Sequence, residues 1–382
     1  MSRRNRPLAG AGGSVPALLA LALLVVGLGP APAQAQAQTG DITIAVVAAM
    51  TGPLEATGRE LRLGAAAAVE AVNAKGGLLG RKVRLLVRDD QCSPDKAVPI
   101  AKELVAGKVD MVVGHECSGT SIPASVIYDA AKVVQISAAS TNPAYTERGL
   151  PLVFRTCGRD DVQGFVAAEF ISRRLRNTTV AIVHDTQVYG KGFTDIAREH
   201  LHKEGIIEVF TETIAVGQTD FTAILERMRR AGVELVLFGG YAPEAEALLR
   251  QARASAMRFR LLGPDALMNK GLAQAGRVAD GTLVTFAPNP ADDRNNRDVV
   301  AAFKARGFAP DGYTLYSYAA VELWAGAVAK AGGLEAERVA AALKAGPLPS
   351  VLGRTVFNAK GDISATGFVL YVYSNGRTEY VD

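Results

Sequence analysis

The chain has 382 residues, a formal net charge of +4 at pH 7 and an aromatic content of only 6%. It contains no basic run and few side chains that could stack on bases, which argues against nucleic-acid binding. Its length exceeds what a single ordinary core accommodates and predicts two domains.

Residues 1–37 are predicted to be a secretory signal peptide. Three arginines stand near the start, Ala17–Val26 contains only alanine, leucine and valine, and small residues then alternate with glutamine as far as Gln38. This order is typical of signal peptides, and the apolar run is shorter than the roughly 20 residues that cross a bilayer. We therefore expect a periplasmic mature protein that is not stably inserted in a membrane.

From Ile42 onward, short apolar runs alternate with amphipathic stretches of helical length. Runs rich in Val, Ile and Leu predict buried strands at Ile42–Ala48, Val83–Arg88, Met111–Gly114, Val133–Ser137, Val180–His184, Leu235–Gly239 and Leu283–Ala287. The clearest helices are predicted at Arg59–Ala74, Asp95–Ala106, Val162–Arg176, Phe193–Glu204, Phe221–Ala231 and Ala245–Ser255. This order predicts an α/β fold of parallel sheets covered by helices on both faces, and right-handed crossovers give doubly wound lobes.

Breaks rich in Gly or Pro indicate where the chain passes between two such lobes. The predicted lobes are 38–158 with 287–367 for the first, and 159–286 with 368–382 for the second. The three crossings between them would act as a hinge. Near the end of the chain, Asn375-Gly376 predicts a hairpin turn.

Two of the three cysteines are predicted to form a disulfide. Cys92 and Cys117 each follow a predicted strand, at the same end of neighbouring strands. An exported protein meets an oxidising compartment in which such a bond persists. Cys157 is left over and is interpreted as a small buried hydrophobic residue.

Ligands of open parallel sheets bind beyond the carboxyl ends of the strands, so the residues that follow each strand are candidates. In the first lobe, Ser118, Thr141 and free backbone N–H groups suit a carboxylate. In the second, Asp265 suits an ammonium group, and Tyr189 and Tyr241 could close over an apolar side chain. Together they match an α-amino acid zwitterion. The alternative is that Ser118 and Thr141 only cap helices and that Asp265 is a turn residue.

These same loops resemble those of the leucine/isoleucine/valine-binding proteins, type I periplasmic binding proteins that serve ATP-driven importers. The resemblance runs through nearly all of the mature chain, in family order, and is sharpest at Val47–Pro53, Asn73–Gly77, Asp89–Pro94, Gly114–Ser118, Ala181–Asp185, Tyr189-Gly190 and Gly239–Glu244. It implies a binding protein without enzymatic activity, cofactor or metal, which takes up an amino acid and has a permease of the inner membrane as its partner.

The resemblance also implies roles for individual residues. The implied ligand-binding residues are Ser118, Ala139, Ser140, Thr141, Tyr189, Tyr241, Asp265 and Tyr313. Ser118, with the backbone and hydroxyl groups around Ala139, Ser140 and Thr141, would hold the ligand carboxylate. The Ala139 carbonyl and Thr141 would share the ammonium group with Asp265. Tyr313 would lie near the ligand side chain, and the Cys92–Cys117 pairing is implied as well.

Three residues depart from the family pattern. Asp265 stands where glutamate is usual, Thr57 where an aromatic lid residue is common, and Glu116 where an apolar residue is usual. A carboxylate beside an aliphatic slot is costly to desolvate unless it is paired. Either Glu116 points to solvent, or the pocket accepts a polar or larger side chain.

Other functions stay open at this point. The same fold suits a ligand sensor or regulator, or uptake of another small organic acid such as an aromatic acid. An enzyme with a dinucleotide cofactor is opposed by the lack of a G-x-G-x-x-G fingerprint opening a helix. His115, Glu116 and Cys117 resemble a metal or nucleophile cluster, but a disulfide at Cys117 leaves no thiolate for either role.

Overall fold

Two mainly parallel sheets organise residues 40–364 and 367–381, the part of the chain that the computed structural model describes. The predicted signal peptide, residues 1–37, lies outside these residues. None of the helices in the described part is both long enough and apolar enough to cross a bilayer.

The first sheet contains five parallel strands in the order β2-β1-β3-β4-β5. The strands are β1 (Ile42–Ala48), β2 (Val83–Asp89), β3 (Met111–Gly114), β4 (Val134–Ser137) and β5 (Val153–Arg155). The helices between them are α1 (Glu55–Ala74), α2 (Pro94–Ala106), α3 (Ser118–Ala130) and α4 (Ala144–Glu147). Separate apolar clusters cover the two faces of this sheet, as the predicted doubly wound lobe requires.

The second sheet contains seven strands, five of them parallel. Its parallel strands are β6 (Val180–Asp185), β7 (Thr211–Ile214), β8 (Leu235–Gly239), β9 (Arg260–Gly263) and β10 (Leu283–Phe286). The helices that accompany them are α5 (Asp160–Arg174), α6 (Val188–Lys203), α7 (Thr222–Arg230), α8 (Ala242–Ala254) and α9 (Lys270–Gln274). This sheet also has apolar clusters on both faces.

The remaining elements divide between the two sheets. Helices α10 (Arg297–Ala305), α11 (Thr314–Ala331) and α12 (Ala336–Lys344) are followed by a small hairpin of β11 (Leu348–Ser350) and β12 (Gly353–Thr355). Helix α11 packs along α1 over the first sheet. Strands β13 (Val369–Ser374) and β14 (Arg377–Tyr380) extend the second sheet as an antiparallel edge, in the order β14-β13-β10-β9-β8-β6-β7.

The close contact of α1 with α11 depends on a residue without a side chain. A Cβ added at Gly64 would lie 2.0 Å from the Thr314 carbonyl oxygen, nearer than atoms can approach. The contact buries Leu315, Leu323 and Trp324, each at most 1% exposed. Packing this close leaves no room for a side chain at position 64.

The α/β class with two parallel-sheet lobes is confirmed, and the chain passes between the sheets three times, after β5, after β10 and before β13. The lobe boundaries drawn from the sequence stay a prediction. The Cys92–Cys117 disulfide is confirmed, with Cα atoms 5.6 Å apart, and Cys157 is a buried free cysteine. The Asn375-Gly376 turn is confirmed by positive φ angles at both residues.

Some predicted helix starts are wrong. Helix α6 begins at Val188 instead of Phe193, and α8 begins at Ala242 instead of Ala245. In each case the first turn contains Gly190 or Pro243, residues that weaken a helix interior but are tolerated at its start. The earlier starts place Tyr189 in the first turn of α6 and Tyr241 directly before α8.

Candidate functional site

A small cavity lies where loops of both lobes meet at the carboxyl ends of the strands. It is lined by Leu54, Thr57, Glu116, Cys117, Ser118, Ala139 and Tyr313 of the first lobe and by Tyr189, Tyr241, Asp265 and Ala266 of the second. The space open to the centre of a water-sized sphere is about 20 Å³, which is room for one water molecule. A larger ligand therefore enters only when the lobes or the tyrosines move apart.

The cavity brings together six of the eight residues predicted to bind ligand, all except Ser140 and Thr141. The Ser140 hydroxyl donates to the Glu116 carbonyl, at 2.9 Å, and so supports the neighbouring loop. The Thr141 hydroxyl is buried without a hydrogen bond of ordinary geometry among the described residues. Ligand contacts by these two residues stay a prediction.

The first-lobe side of the cavity contains the start of α3. Ser118 is its first residue, and its hydroxyl accepts from the Asn142 N–H at 3.2 Å without capping the helix. Among the described residues, no oxygen accepts from the N–H groups of Ser118 and Gly119. Unpaired N–H groups at a helix start attract an anion, so this side of the cavity suits a carboxylate.

The second-lobe side is built around Asp265, which follows β9 and is 2% exposed. Its Oδ1 accepts from the Tyr189 hydroxyl at 2.7 Å and from Gln163 Nε2 at 2.9 Å. Burial raises the pKa of the Asp265 carboxyl from 3.8 to about 6, and the two hydrogen bonds limit the rise. These two hydrogen bonds orient the Asp265 carboxylate so that it can accept a further hydrogen bond from a donor in the cavity.

A second acid, Asp160, lies beside Asp265 and was not found by sequence reasoning. It opens α5 at the first crossing between the lobes and is fully buried. Burial and then the Asp265 charge raise the pKa of Asp160, and the nearby Thr141 hydroxyl lowers it by less. Neither carboxyl oxygen accepts a hydrogen bond of ordinary geometry within the described residues. The nearby cation, Arg155, is paired with Asp362, so an ammonium group would complete this arrangement of two buried carboxyl groups.

Two tyrosines of the second lobe close the cavity against the first-lobe disulfide. The rings of Tyr189 and Tyr241 have centroids 5.1 Å apart and form an apolar cluster with Cys117. The Tyr241 hydroxyl lies 3.8 Å from the Cys92 sulfur. The lobes are therefore in contact through aromatic rings that a ligand could also use.

The glycines near these tyrosines allow the start of α6 to approach the end of β8. A Cβ at Gly239 would lie 2.2 Å from the Gly190 carbonyl oxygen, and one at Gly190 would lie 2.6 Å from that of Gly239. This close approach brings the rings of Tyr189 and Tyr241 together at the cavity.

Glu116 points into the cavity, so the alternative that it points to solvent is wrong. It is 5% exposed, and its Oε2 accepts from the Ala49 N–H at 3.0 Å. Burial raises the pKa of the Glu116 carboxyl well above its ordinary value, and the nearby charges of Asp90 and Glu60 add to the rise. Thr57 also lines the cavity, and its hydroxyl accepts from Asn269 of the other lobe at 3.2 Å.

His115 and Cys117, two of the residues that resembled a metal cluster, have other partners in the structure. His115 is fully buried, with Nδ1 2.7 Å from Asp90 and Nε2 3.1 Å from the Tyr128 hydroxyl. Cys117 is bonded to Cys92. Across residues 40–364 and 367–381, no three His, Cys, Asp or Glu side chains lie together as metal ligands would.

Comparison with known proteins finds relatives over most of the chain. Residues 41–377 match a family described as periplasmic binding proteins. The Leu/Ile/Val-binding protein homolog 1 of Brucella abortus is 38% identical over 88% of this chain and 91% of its own. A leucine-, isoleucine-, valine-, threonine- and alanine-binding protein of Pseudomonas aeruginosa is 37% identical over the same shares.

A solved structure of similar fold is the branched-chain amino acid transporter substrate-binding protein LivJ of Streptococcus pneumoniae in complex with isoleucine. It superposes with a TM-score of 0.81 at 25% identity, and the match covers 89% of this chain and 98% of that one.

Proposed function

Because the chain belongs to the periplasmic binding protein family, we propose that it captures a free branched-chain amino acid between its lobes and delivers it to an inner-membrane permease. One observation carries the proposal: a helix start suited to an anion and the buried Asp265 carboxyl, with Asp160 beside it, meet at the same cavity. The names of the relatives and the isoleucine bound to the similar structure support the choice of ligand.

In this arrangement the ligand carboxylate meets hydrogen-bond donors and the ammonium group meets a carboxylate. The ligand carboxylate binds Ser118 and the first N–H groups of α3. The ammonium group binds Asp265, with Asp160 nearby and the Ala139 carbonyl as a further acceptor. The side chain lies towards Leu54, Tyr241 and Tyr313. No bond is made or broken, so the protein is a carrier and not an enzyme.

Binding is coupled to closure of the lobes. The closed cavity is too small for an amino acid, so the ligand first docks on an open form, and closure then brings Tyr189 and Tyr241 over it. A ligand stabilises the closed form only through its higher affinity for that form. The ammonium group supplies this difference, because closure without it buries Asp160 and Asp265 side by side while the nearby Arg155 is paired with Asp362.

The proposed location of the mature protein is the periplasm. The predicted signal peptide exports the chain, and the Cys92–Cys117 disulfide persists in an oxidising compartment. The permease then binds the closed form of the protein that contains the amino acid.

Isothermal titration of the mature chain with leucine, isoleucine and valine tests the proposal. We expect one site per chain with a Kd of about 1 μM or tighter, equivalent to roughly 8 kcal/mol of binding free energy. The absence of heat with any of the twenty amino acids would contradict the proposal.

Ligand affinity is expected to fall as the pH falls from 7 to 5. The ammonium group needs an ionised Asp265, whose pKa is raised by burial to about 6 in the empty closed form. Above that pH the carboxylate is available, and below it a proton competes with the ligand, which predicts about a tenfold loss of leucine affinity by pH 5. Titration at both pH values measures the loss, and circular dichroism at pH 5 checks that the fold is intact. An unchanged affinity would mean that no group near pH 6 is linked to binding.

A further inference from the structure

A second carboxyl group lines the ligand cavity, apart from those that face the ammonium group. Glu116 accepts one hydrogen bond, from the Ala49 N–H, and no other hydrogen bond to its carboxyl is found among the described residues. No lysine, arginine or histidine is among the described residues that line the cavity. A bound zwitterion has only one cation, so Glu116 must find a different partner or stay partly unpaired.

The surroundings of Glu116 connect it, through Glu60, with Tyr313, the residue expected near the ligand side chain. Its neighbours are Ala49 at the end of β1 and the acids Asp90 and Glu60. Glu60 in turn accepts from the Tyr313 N–H at 3.0 Å. Asp265 has a different set of partners, namely Tyr189, Gln163 and Asp160. The two carboxyl groups therefore line one cavity but belong to different hydrogen-bond networks.

We propose that Glu116 makes this site prefer an amino acid with a hydroxyl group on Cβ, threonine, over valine, which has the same shape. The inference rests on the proposed function, because it assumes that an amino acid occupies the cavity. The threonine hydroxyl hydrogen-bonds to the Glu116 carboxyl, whereas a valine methyl in the same place leaves that buried carboxyl with the Ala49 N–H as its one partner among the described residues. Sites that hydrogen-bond a ligand hydroxyl discriminate strongly against analogues that lack it.

A hydroxyl suits Glu116 better than a cationic side chain does. Burial raises the pKa of Glu116, and the charges of Asp90 and Glu60 act in the same direction. These effects favour the neutral acid, which needs a hydrogen-bond partner and not a counter-ion. Both neighbouring acids already have partners, since Asp90 pairs with His115 and Glu60 with the Tyr313 N–H.

The test compares threonine with valine on three forms of the full mature chain, the wild type, Glu116→Leu and Glu116→Gln, by isothermal titration at pH 7. We expect the wild type to bind threonine at least about tenfold tighter than valine. Glu116→Leu should shift that ratio by about tenfold or more towards valine. Glu116→Gln should keep the threonine preference, because its amide still bonds to a hydroxyl. Glu226→Gln, on the exposed face of α7, is the matched control and should behave as wild type.

The outcomes separate this inference from the proposed function. Leucine binding by the wild type, together with a threonine-to-valine ratio that Glu116→Leu does not change, would overturn the role of Glu116 alone. Tighter binding of lysine or arginine than of threonine would also overturn it. Failure of the wild type to bind any amino acid would contradict the proposed function itself.

Discussion

Replacing Asp265 with asparagine is expected to weaken leucine binding by about thirtyfold or more. Asparagine keeps the shape of the side chain but cannot neutralise the ligand ammonium group, which would then be buried beside an uncharged amide. Removing one partner of a buried charge pair typically costs about 2–5 kcal/mol, and each 1.4 kcal/mol is about tenfold in Kd. Isothermal titration at pH 7 measures the loss directly.

The same variant should not lose folding stability. A carboxyl whose pKa is raised on folding disfavours the folded state above its unfolded pKa, and Asp265 also faces Asp160. At pH 7 the empty Asp265→Asn protein should therefore unfold at no lower a temperature than the wild type. Asp298→Asn, on the exposed side of α10, is the control and should change neither the leucine affinity nor the unfolding temperature. A binding loss below about threefold would mean that the ammonium group lies elsewhere.

Much of the fold could be predicted because its strands are buried on both faces. Runs such as Ile42–Ala48 and Leu235–Gly239 are almost wholly apolar and are found as β1 and β8. Strand β7 was missed because Thr211–Ile214 lies at the edge of its sheet and is mostly polar. This edge strand has a neighbouring strand on one side only and most of its side chains are not fully buried, so its sequence does not show the continuous apolar run of a central strand.

The candidate site could be predicted as far as it follows from the ends of parallel strands. Ser118, Tyr189, Tyr241 and Asp265 come shortly after β3, β6, β8 and β9, and all line the cavity. Asp160 escaped this reasoning because it opens a helix at a crossing between the lobes and follows no strand of its own lobe. The acidic start of α5, directly after an arginine, was the available signal.

The direction of Glu116 could not be predicted, because it depends on packing between segments far apart in the chain. Its side chain turns inward to the Ala49 N–H at the end of β1, 67 residues away. Tyr313 was identified only through the resemblance. It precedes α11, and its ring packs against Phe286 of β10, with centroids 5.2 Å apart. Such contacts form only when the lobes are folded and packed, so they produce no periodic pattern in the sequence.

Replacing Arg155 with methionine is expected to destabilise the first lobe by about 3 kcal/mol. Arg155 is fully buried at the end of β5, with Nε 2.8 Å from Asp362. It also donates to the carbonyl oxygens of Ser140, at 2.6 Å, and Asn142, at 3.0 Å. The side chain thus ties the loop that contains Ala139 to the segment preceding β13, and methionine leaves these acceptors unpaired.

The estimate lies at the low end of the 3–5 kcal/mol typical of broken buried ion pairs, because Asp362 keeps a second partner. Arg159 Nη1 lies 2.9 Å from its other oxygen. Burial acts to raise the pKa of Asp362, but Arg155, Thr146 and Arg159 outweigh it and lower the pKa. The stabilisation is therefore present above about pH 4 and is lost as the pH falls through the lowered value.

Urea unfolding followed by tryptophan fluorescence suits this measurement, because the chain has a single tryptophan, Trp324. It is 1% exposed in the core of the first lobe, so it reports on the lobe that Arg155 stabilises. Arg173→Met removes an exposed pair with Glu169 and should cost less than about 0.5 kcal/mol. If both variants unfold at the same urea concentration, the Arg155 network does not hold the ligand-binding loops. If only Arg155→Met lowers the urea concentration at the unfolding midpoint, the residues that shape the cavity also stabilise that lobe.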